Sequence, residues 1–560
     1  MEKYSATIKN GFKYTLKRNI KKYTQNIKMP EKDLGKKQYY SFLSIPVREH
    51  HIFYEAFSGL GVLDNPRAIF LQLLKDPAFE DMIHIWSISD MDMAKDNIKE
   101  FEDLPNVRFV KRESEDYYRY LASSKYLVSN STFGYFFVKR PEQTYINTWH
   151  GVPTKYMGYE HTVERVENAR GPARNFLGAD YLISANKFMT EVMYKRAYKL
   201  DGLYEGTTLE IGYPRSDLLI NADIKKVKQK LEDIGIKTDK KIILYAPTWK
   251  GNLYNQLEYD VEEFKNTVKK FSENIDQSKY RIYLRVHYFL YKILAEDSEL
   301  KDILIPFTID TNELLSVVDI LISDYSSIFF DFLITGRPIV FYVPDLKEYE
   351  SGRGLYVPVN TLPGIVSSDL DEVASSLDAI CKNRKEYCDF YKPQLDEMNR
   401  WCTYNDDGLS TQRLINIIFK DYTYLSSRNQ DIIKTFDEGK KKVLICVNSK
   451  QKSNAFWAEF YQKLKKYDFK TTDVTVLVTA FKDLESKKYF NNLPDEVRVL
   501  VWFALPFVIE ASKTFYDREA LRAFGDVHFD EVLVEGDINE YFADFANNLN
   551  GLYENEPQQG

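Results

Sequence analysis

The chain has 560 residues, too many for one hydrophobic core, so two to four domains are expected. Its 44% hydrophobic and 28% charged residues are those of a globular protein in water, and its longest apolar run, VLVWFALPFVI at Val499–Ile509, is too short to span a bilayer. Four cysteines without CxxC spacing (Cys381, Cys388, Cys402 and Cys446) argue against a disulfide framework or a structural zinc site, and fit a reducing compartment.

Charge is uneven along the chain. Residues 1–40 carry 11 Lys/Arg against 3 Asp/Glu, a balance of +8 in a protein whose net charge is -7. Within this arm Ile8, Phe12, Leu16 and Ile20 recur every four residues, which predicts a basic amphipathic helix. Such an arm suits an anionic membrane surface, where each basic residue contributes about 1 kcal/mol. A solvated lysine-rich helix is the plainer alternative. No matching basic stripe recurs downstream, which disfavours nucleic acid as the partner.

From about residue 45 short β-rich runs alternate with helical stretches, the pattern of parallel α/β units. One design recurs at YLVSNSTFGYFF (from Tyr126), YLISANKFMTEVM (from Tyr181) and ILISDYSSIFFDF (from Ile320): a strand, a small polar turn and a helix start. In doubly wound sheets that end of the strands binds ligands. Further strands are expected at KKIILYA (Lys240–Ala246), YRIYLRV (Tyr280–Val286) and RPIVFYV (Arg337–Val343), with a surface helix and turn within Asn221–Lys241 after a domain hinge. These elements divide the chain into a basic amphipathic arm (1–44), an α/β domain (45–205), a second (206–425), a third α/β segment (430–549) and a tail expected to be disordered (550–560).

Six clusters fall at strand ends or helix starts: WHGVPT (Trp149–Thr154), GYPRSD (Gly212–Asp217), APTWK (Ala246–Lys250), RVH (Arg285–His287), SDYSSIFFD (Ser323–Asp331) and GRG (Gly352–Gly354). In SDYSSIFFD, Asp324 and Ser326 are N-cap candidates, and a helix starting at Ser326–Ser327 offers backbone N–H groups and two hydroxyls to an anion. Asp331 would then share a helical face with Ser327 and could accept from a ligand hydroxyl. An ordinary capped helix explains the same residues. Strand alternation places Arg285 and His287 on one face, with Val286 on the other; two cationic donors there suit a diphosphate, although a solvent-facing edge pair reads the same way. Lys250 and Arg215 end strand-to-loop turns and are either phosphate ligands or surface charges. His150, between Trp149 and Gly151, is either a hydrogen-bonded core histidine or a functional one.

Other site chemistries are missing from the sequence. There is no GxxxxGK[ST] loop and no GxGxxG between a strand and a helix; GLG at Gly59–Gly61 leads into Asp64-Asn65-Pro66, a poor helix start. No HExxH and no convincing DxD pair occurs, so no cofactor is expected and a metal-dependent mechanism is disfavoured.

Taken in order, NTWHGVPTKYMG, ADYLISAN, LEIGYPRSDLL, ILYAPTWK, LRVHY, ISDYSSIFFDFLITGRPIVFY and DLKEYESGRGLY resemble the CDP-glycerol glycerophosphotransferase family, the teichoic acid polymerases and primases and related capsule polymerases. EAFSGLGVLDNPRAIF (from Glu55) is similar to the family's entry segment near the acceptor side. The resemblance runs from about residue 45 to 420. It implies a glycosyltransferase-B fold, with two Rossmann-like domains facing across a cleft. It also implies attack by an acceptor hydroxyl on the β-phosphorus of a CDP-activated polyol, with release of CMP. The implied donor-site positions are His150, Gly151, Val152, Pro153, Thr154, Arg215, Pro247, Thr248, Lys250, Arg285, Val286, His287, Ser326, Ser327, Asp331 and Arg353. His150 is the implied general base and His287 the alternative one. The family often has arginine directly after its PT-aromatic motif, whereas this chain has Lys250, a point charge without a bidentate fork. The implied partners are a CDP-polyol and a lipid-linked polyol-phosphate or glycan acceptor at the cytoplasmic face of an anionic membrane. Two readings compete with this one: a glycosyltransferase using a UDP- or GDP-sugar on the same scaffold, and a non-catalytic scaffold of wall synthesis. Glycerol and ribitol both stay open as the polyol.

Overall fold

A computed structural model describes residues 31–248, 261–420, 433–436, 439–448, 451, 453–479, 484–503, 513–538 and 540–553. Most of the basic arm, including its four-residue apolar spacing, and Lys250 lie outside the described residues; the described part of the arm contains a helix at Glu31–Phe42.

The first sheet contains β1 (Arg48–Glu55), β2 (Ile83–Ile88), β3 (Val107–Lys111), β4 (Ser124–Ser129), β5 (Thr144–Asn147), β6 (Tyr181–Ser184) and β7 (Thr207–Glu210). Their spatial order is β7-β6-β5-β4-β1-β2-β3, all parallel. The second sheet contains β8 (Lys241–Ala246), β9 (Tyr280–Leu284), β10 (Val318–Ser323), β11 (Ile339–Tyr342) and β12 (Gly364–Ser367), in the parallel order β12-β11-β10-β8-β9. Continuous burial along the second half of β1 and along β8, β10 and β11 follows from this arrangement, since parallel sheets are covered by helices on both faces. In the first core Tyr54 stacks on Trp86 at 4.8 Å.

Both orders reverse direction once, between β1 and β4 in the first sheet and between β8 and β10 in the second. Such switch points open a crevice at the carboxyl ends of the strands. WHGVPT follows β5, beside β4, while Thr248 and the SDYSS turn follow β8 and β10. Hydrogen bonds between these loops join the two domains: Thr154 Oγ1 donates to the Tyr325 carbonyl at 2.7 Å, and Tyr356 N to the Thr154 carbonyl at 2.8 Å. This is the two-domain, facing arrangement of the glycosyltransferase-B fold.

The chain's division differs from the expected 206–425 in two places. Strand β7 pairs in parallel with β6 and so completes the first sheet beyond residue 205. The helix Ser410–Ile418 returns to pack on the helices Asp64–Lys75 and Pro214–Ile220, burying Leu414, Ile415 and Ile417. A short strand β13 (Ile433–Lys434) then adds antiparallel to β7. The helix Asp64–Lys75 starts where the sequence promised a poor start. Asp64 sits at φ 63 and donates its N–H to Asp310 Oδ2 at 2.7 Å, so a tertiary carboxylate replaces the missing local cap.

Beyond residue 430 lies a third parallel sheet of β14 (Lys441–Val447), β15 (Thr472–Thr479), β16 (Arg498–Trp502) and β17 (Glu531–Glu535), ordered β16-β15-β14-β17. It docks on the first domain behind the cleft. Tyr159 Oη donates to the Val499 carbonyl at 2.6 Å, and Asn491 Oδ1 accepts from Val166 N at 2.9 Å, in the first turn of the helix Arg165–Leu177. Arg498 is buried, forks onto Asp473 at 2.6 and 3.1 Å, and donates across the interface to the Asp201 carbonyl at 3.0 Å and to the Lys199 carbonyl. Replacing Arg498 with alanine leaves the part-buried Asp473 carboxylate without its guanidinium and removes two bonds across the interface, which costs about 1–3 kcal/mol. Urea denaturation of Arg498→Ala should show that loss, and hydrogen exchange should rise across residues 441–553; an unchanged midpoint would contradict the interface described.

Candidate active site

The site grows from the loops that leave β1, β4, β5 and β7 of the first sheet. After β5 the chain turns at Trp149, whose φ of 50 puts a non-glycine residue in the left-handed region. That strain is held by packing: the indole is buried edge-on against Phe176 at 5.2 Å and stacks on the His150 ring at 4.2 Å. Phe57 meets the other side of the imidazole edge-on at 5.7 Å. His150 Nδ1 lies 2.6 Å from the Asn130 carbonyl. A carbonyl only accepts, so Nδ1 carries the proton and Nε2 keeps its lone pair. Burial lowers the ring's pKa below the usual histidine value, partly offset by the Asn130 bond and Asp64. The ring is therefore oriented, neutral at neutral pH and basic at Nε2.

Asn130 is itself fixed. Its Oδ1 accepts from Phe57 N at 2.7 Å, and its Nδ2 donates to Asp64 Oδ1 at 3.0 Å. Asn65 ties the same region together, donating to the Trp149 carbonyl at 3.1 Å and accepting from Arg215 N at 3.0 Å.

The structure corrects the expected role of Arg215. Its guanidinium is buried and forks onto Asp331 from the second domain, at 2.8 Å from Nε and 3.0 Å from Nη2. Its Nη1 donates to Asp64 Oδ2 at 2.8 Å and to the His150 carbonyl at 2.7 Å. Burial opposes the charge, but Asp331 and Asp64 outweigh it and hold the guanidinium pKa above its ordinary value. Arg215 and Asp331 are thus joined to each other across the seam, and both position the loop that carries His150.

Arg285 departs from expectation in the same way. Its guanidinium holds the loop beyond the helix Tyr288–Leu294 by the carbonyls of Pro306, Phe307 (3.2 Å) and Ile309 (2.8 Å) and by the Thr311 hydroxyl (3.2 Å). Burial lowers its pKa to about 10. His287 stands exposed just before the helix Tyr288–Leu294.

The remaining residues meet where the two domains touch. A β-carbon on Gly151 would stand 2.8 Å from Ser327 Oγ, so the absence of a side chain lets the WHGVPT turn abut the SDYSS turn. Gly151 N donates to Tyr213 Oη at 3.2 Å. Val152, Pro153 and Val286 are buried and offer a ligand no polar side-chain atom. The α-helix after SDYSS begins at Ile328, not at the serines, because Asp324 shapes the turn before it. Asp324 accepts from Ser326 N at 3.0 Å and from Thr248 N at 2.6 Å, with the Thr248 hydroxyl also bound; burial raises its pKa to about 6. One carboxylate thus joins the Pro247–Thr248 loop to the serine turn. Arg353, in the GRG loop, is half-buried 6.0 Å over the Tyr349 ring.

Three residues of this constellation escaped the motif reading. Asn130 and Asp64 stand in stretches singled out for other reasons, the strand-turn at Tyr126 and the segment from Glu55. Lys155 follows WHGVPT directly, and its position in the seam is taken up below.

Comparison with known proteins places the chain in a family. A family model described as CDP-Glycerol:Poly(glycerophosphate) glycerophosphotransferase matches residues 38–420. A teichoic acid poly(glycerol phosphate) polymerase of Bacillus spizizenii is 36% identical over 332 residues, 56% of this chain and 78% of that protein. Its Bacillus subtilis counterpart is 30% identical over 447 residues, 74% of this chain but only 55% of its own length. A solved structure of the wall teichoic acid polymerase TagF, soaked with CDPG, is 29% identical with a TM-score of 0.59, covering 74% of this chain and 98% of that one. With more than half its length matched, the chain belongs to the CDP-glycerol:poly(glycerophosphate) glycerophosphotransferase family and is an enzyme of that transferase class.

Proposed function

We propose that this enzyme transfers glycerol phosphate from CDP-glycerol to a hydroxyl of a lipid-linked acceptor or a growing teichoic acid chain, releasing CMP. The acceptor hydroxyl gives its proton to His150 Nε2 as its oxygen bonds to the β-phosphorus. The bond from that phosphorus to the bridging oxygen breaks, and CMP leaves with the electron pair. The observation that carries this reading is the orientation of His150, proton on Nδ1 against the Asn130 carbonyl, on a turn that abuts Ser327. The serine turn supplies its two hydroxyls to the diphosphate. A UDP- or GDP-sugar transferase would use the same scaffold, but the family match favours the CDP-polyol. The acceptor's lipid and the +8 arm support a peripheral location on an anionic membrane; among the described residues no helix is long and apolar enough to cross one. Incubation with CDP-glycerol, CDP-ribitol and UDP-sugars beside a lipid-linked primer tests the proposal: CMP must appear with CDP-glycerol, and its absence there together with UDP release would overturn it.

His150→Ala should fold, keep CDP-glycerol binding and lose about 10²–10⁴-fold in CMP release, the usual contribution of a general base. Because burial holds the ring below the ordinary histidine pKa of about 6.5, the base form already dominates at neutral pH. CMP release should therefore be level around pH 7 and fall only on the acid side of that value. An acid limb centred above pH 7 would contradict the assignment.

Replacing Ser326 and Ser327 together with alanine removes two hydroxyls and leaves the Asp324–Ser326 backbone bond in place. Donor affinity should fall by about 1 kcal/mol per lost bond, with the melting temperature unchanged. Wild-type affinity in a calorimetric titration would move the diphosphate elsewhere.

A further inference from the structure

Two of the arginines expected to meet phosphate are engaged elsewhere, Arg215 with Asp331 and Asp64, Arg285 with backbone carbonyls. A diphosphate bound at the serine turn still needs a cation. We infer that Lys155 supplies it, completing from the first domain an anion pocket whose other wall is the Ser326–Ser327 turn of the second. The inference rests on the donor reading above and names the residue that enforces it.

Lys155 is placed by its backbone. The residues on either side of it run antiparallel to the GRG loop: Lys155 bridges Leu355, Tyr156 N donates to the Gly354 carbonyl at 3.2 Å, and Tyr356 N returns a bond to the Thr154 carbonyl at 2.8 Å. The preceding hydroxyl, Thr154 Oγ1, is bonded to the Tyr325 carbonyl, one residue before Ser326. Gly354 accepts this pairing because its φ of 70 suits glycine, and a β-carbon there would strike the Tyr156 ring. The lysine is thus pinned between the HGVPT turn and the serine turn, with its side chain half-buried in the seam.

Its charged and titratable neighbours are Arg353, His287, His150, His161 and Asp324. The three histidines are held below their ordinary pKa, and Asp324 already accepts from Thr248 and Ser326. Among the described residues no carboxylate lies within ion-pairing distance of the Lys155 ammonium, whose nearest charges are Arg353 and the already hydrogen-bonded Asp324. Burial and Arg353 together bring the lysine pKa down to about 8. A half-buried ammonium without an ion-pair partner is costly, and a diphosphate dianion supplies the missing charge.

Lys155→Met keeps the length of the side chain and removes the charge. It should weaken both CDP and inorganic pyrophosphate about tenfold or more, as expected for a charge-assisted bond, and leave cytidine binding unchanged. Lys155→Arg should restore much of the affinity. In the wild type, CDP affinity should fall as pH rises through about 8, and this fall should vanish in Lys155→Arg, whose guanidinium stays charged. Circular dichroism checks folding, with Lys155→Gln as the second variant if the methionine form fails. Wild-type pyrophosphate and CDP affinities in a folded Lys155→Met or Lys155→Gln protein would overturn the inference. Loss of pyrophosphate binding in a protein that prefers UDP to CDP would uphold Lys155 while overturning the donor reading.

Discussion

The buried guanidinium of Arg215 is the constraint on which the rest of the cleft depends. It is bonded to a carboxylate in each domain, Asp64 and Asp331, and to the carbonyl of His150. An arginine fork fits a carboxylate in a fixed plane, so the Asp331 contact sets orientation as well as distance between the domains. Asp64 in turn anchors Asn130, and Asn130 selects the imidazole tautomer. A change in the seam would therefore reach the base through three named bonds. The stabilisation this clasp provides is modest next to its geometric content, because desolvating the three charged groups offsets much of their attraction.

Second to it is the way two sheets of different winding present their switch points to each other. The first sheet offers the oriented imidazole of His150 and the second a turn with two serine hydroxyls, and Gly151 allows the two turns to touch. Neither sheet alone assembles both functions. The proposed site is a property of the seam, and its members accordingly come from positions between Phe57 and Gly354.

Local features of this design were legible in the sequence. Apolar runs ending in small polar residues marked β4, β6 and β10, and the motif order carried the family and the facing-domain fold. What could not be read was the partner of each arginine. A motif records that a guanidinium stands at a strand end, whereas its direction is decided by tertiary neighbours such as Asp64 and Asp331, or the carbonyls after Pro306. The start of the helix Asp64–Lys75 was hidden for the same reason, since its first N–H is satisfied by Asp310, 246 positions away in sequence. Strand β7 was assigned across a boundary because a four-residue strand beside a hinge carries little pattern of its own. Lys155 was quoted within a motif and passed over, since a lysine after a turn looks like solvent-facing charge until the GRG loop is seen paired to it.

The docking of the third sheet bears on how the chain comes off the ribosome. The first domain has most of its strands by Glu210, yet parts of it arrive much later: the helix Ser410–Ile418, strand β13, the Asn491 carbonyl oxygen in the first turn of Arg165–Leu177, and the Arg498 contacts to Lys199 and Asp201. At about 5–20 residues per second, the interval from Glu210 to Arg498 is on the order of tens of seconds. During that time Tyr135, which later meets Phe503 at 3.9 Å, and Tyr159, which later bonds the Val499 carbonyl, have no cover. A nascent chain in this state presents aromatic surface beside an unfinished sheet edge, the kind of surface chaperones bind. The first domain thus gains its last contacts only after the chain has been made to about Arg498, long after its own strands.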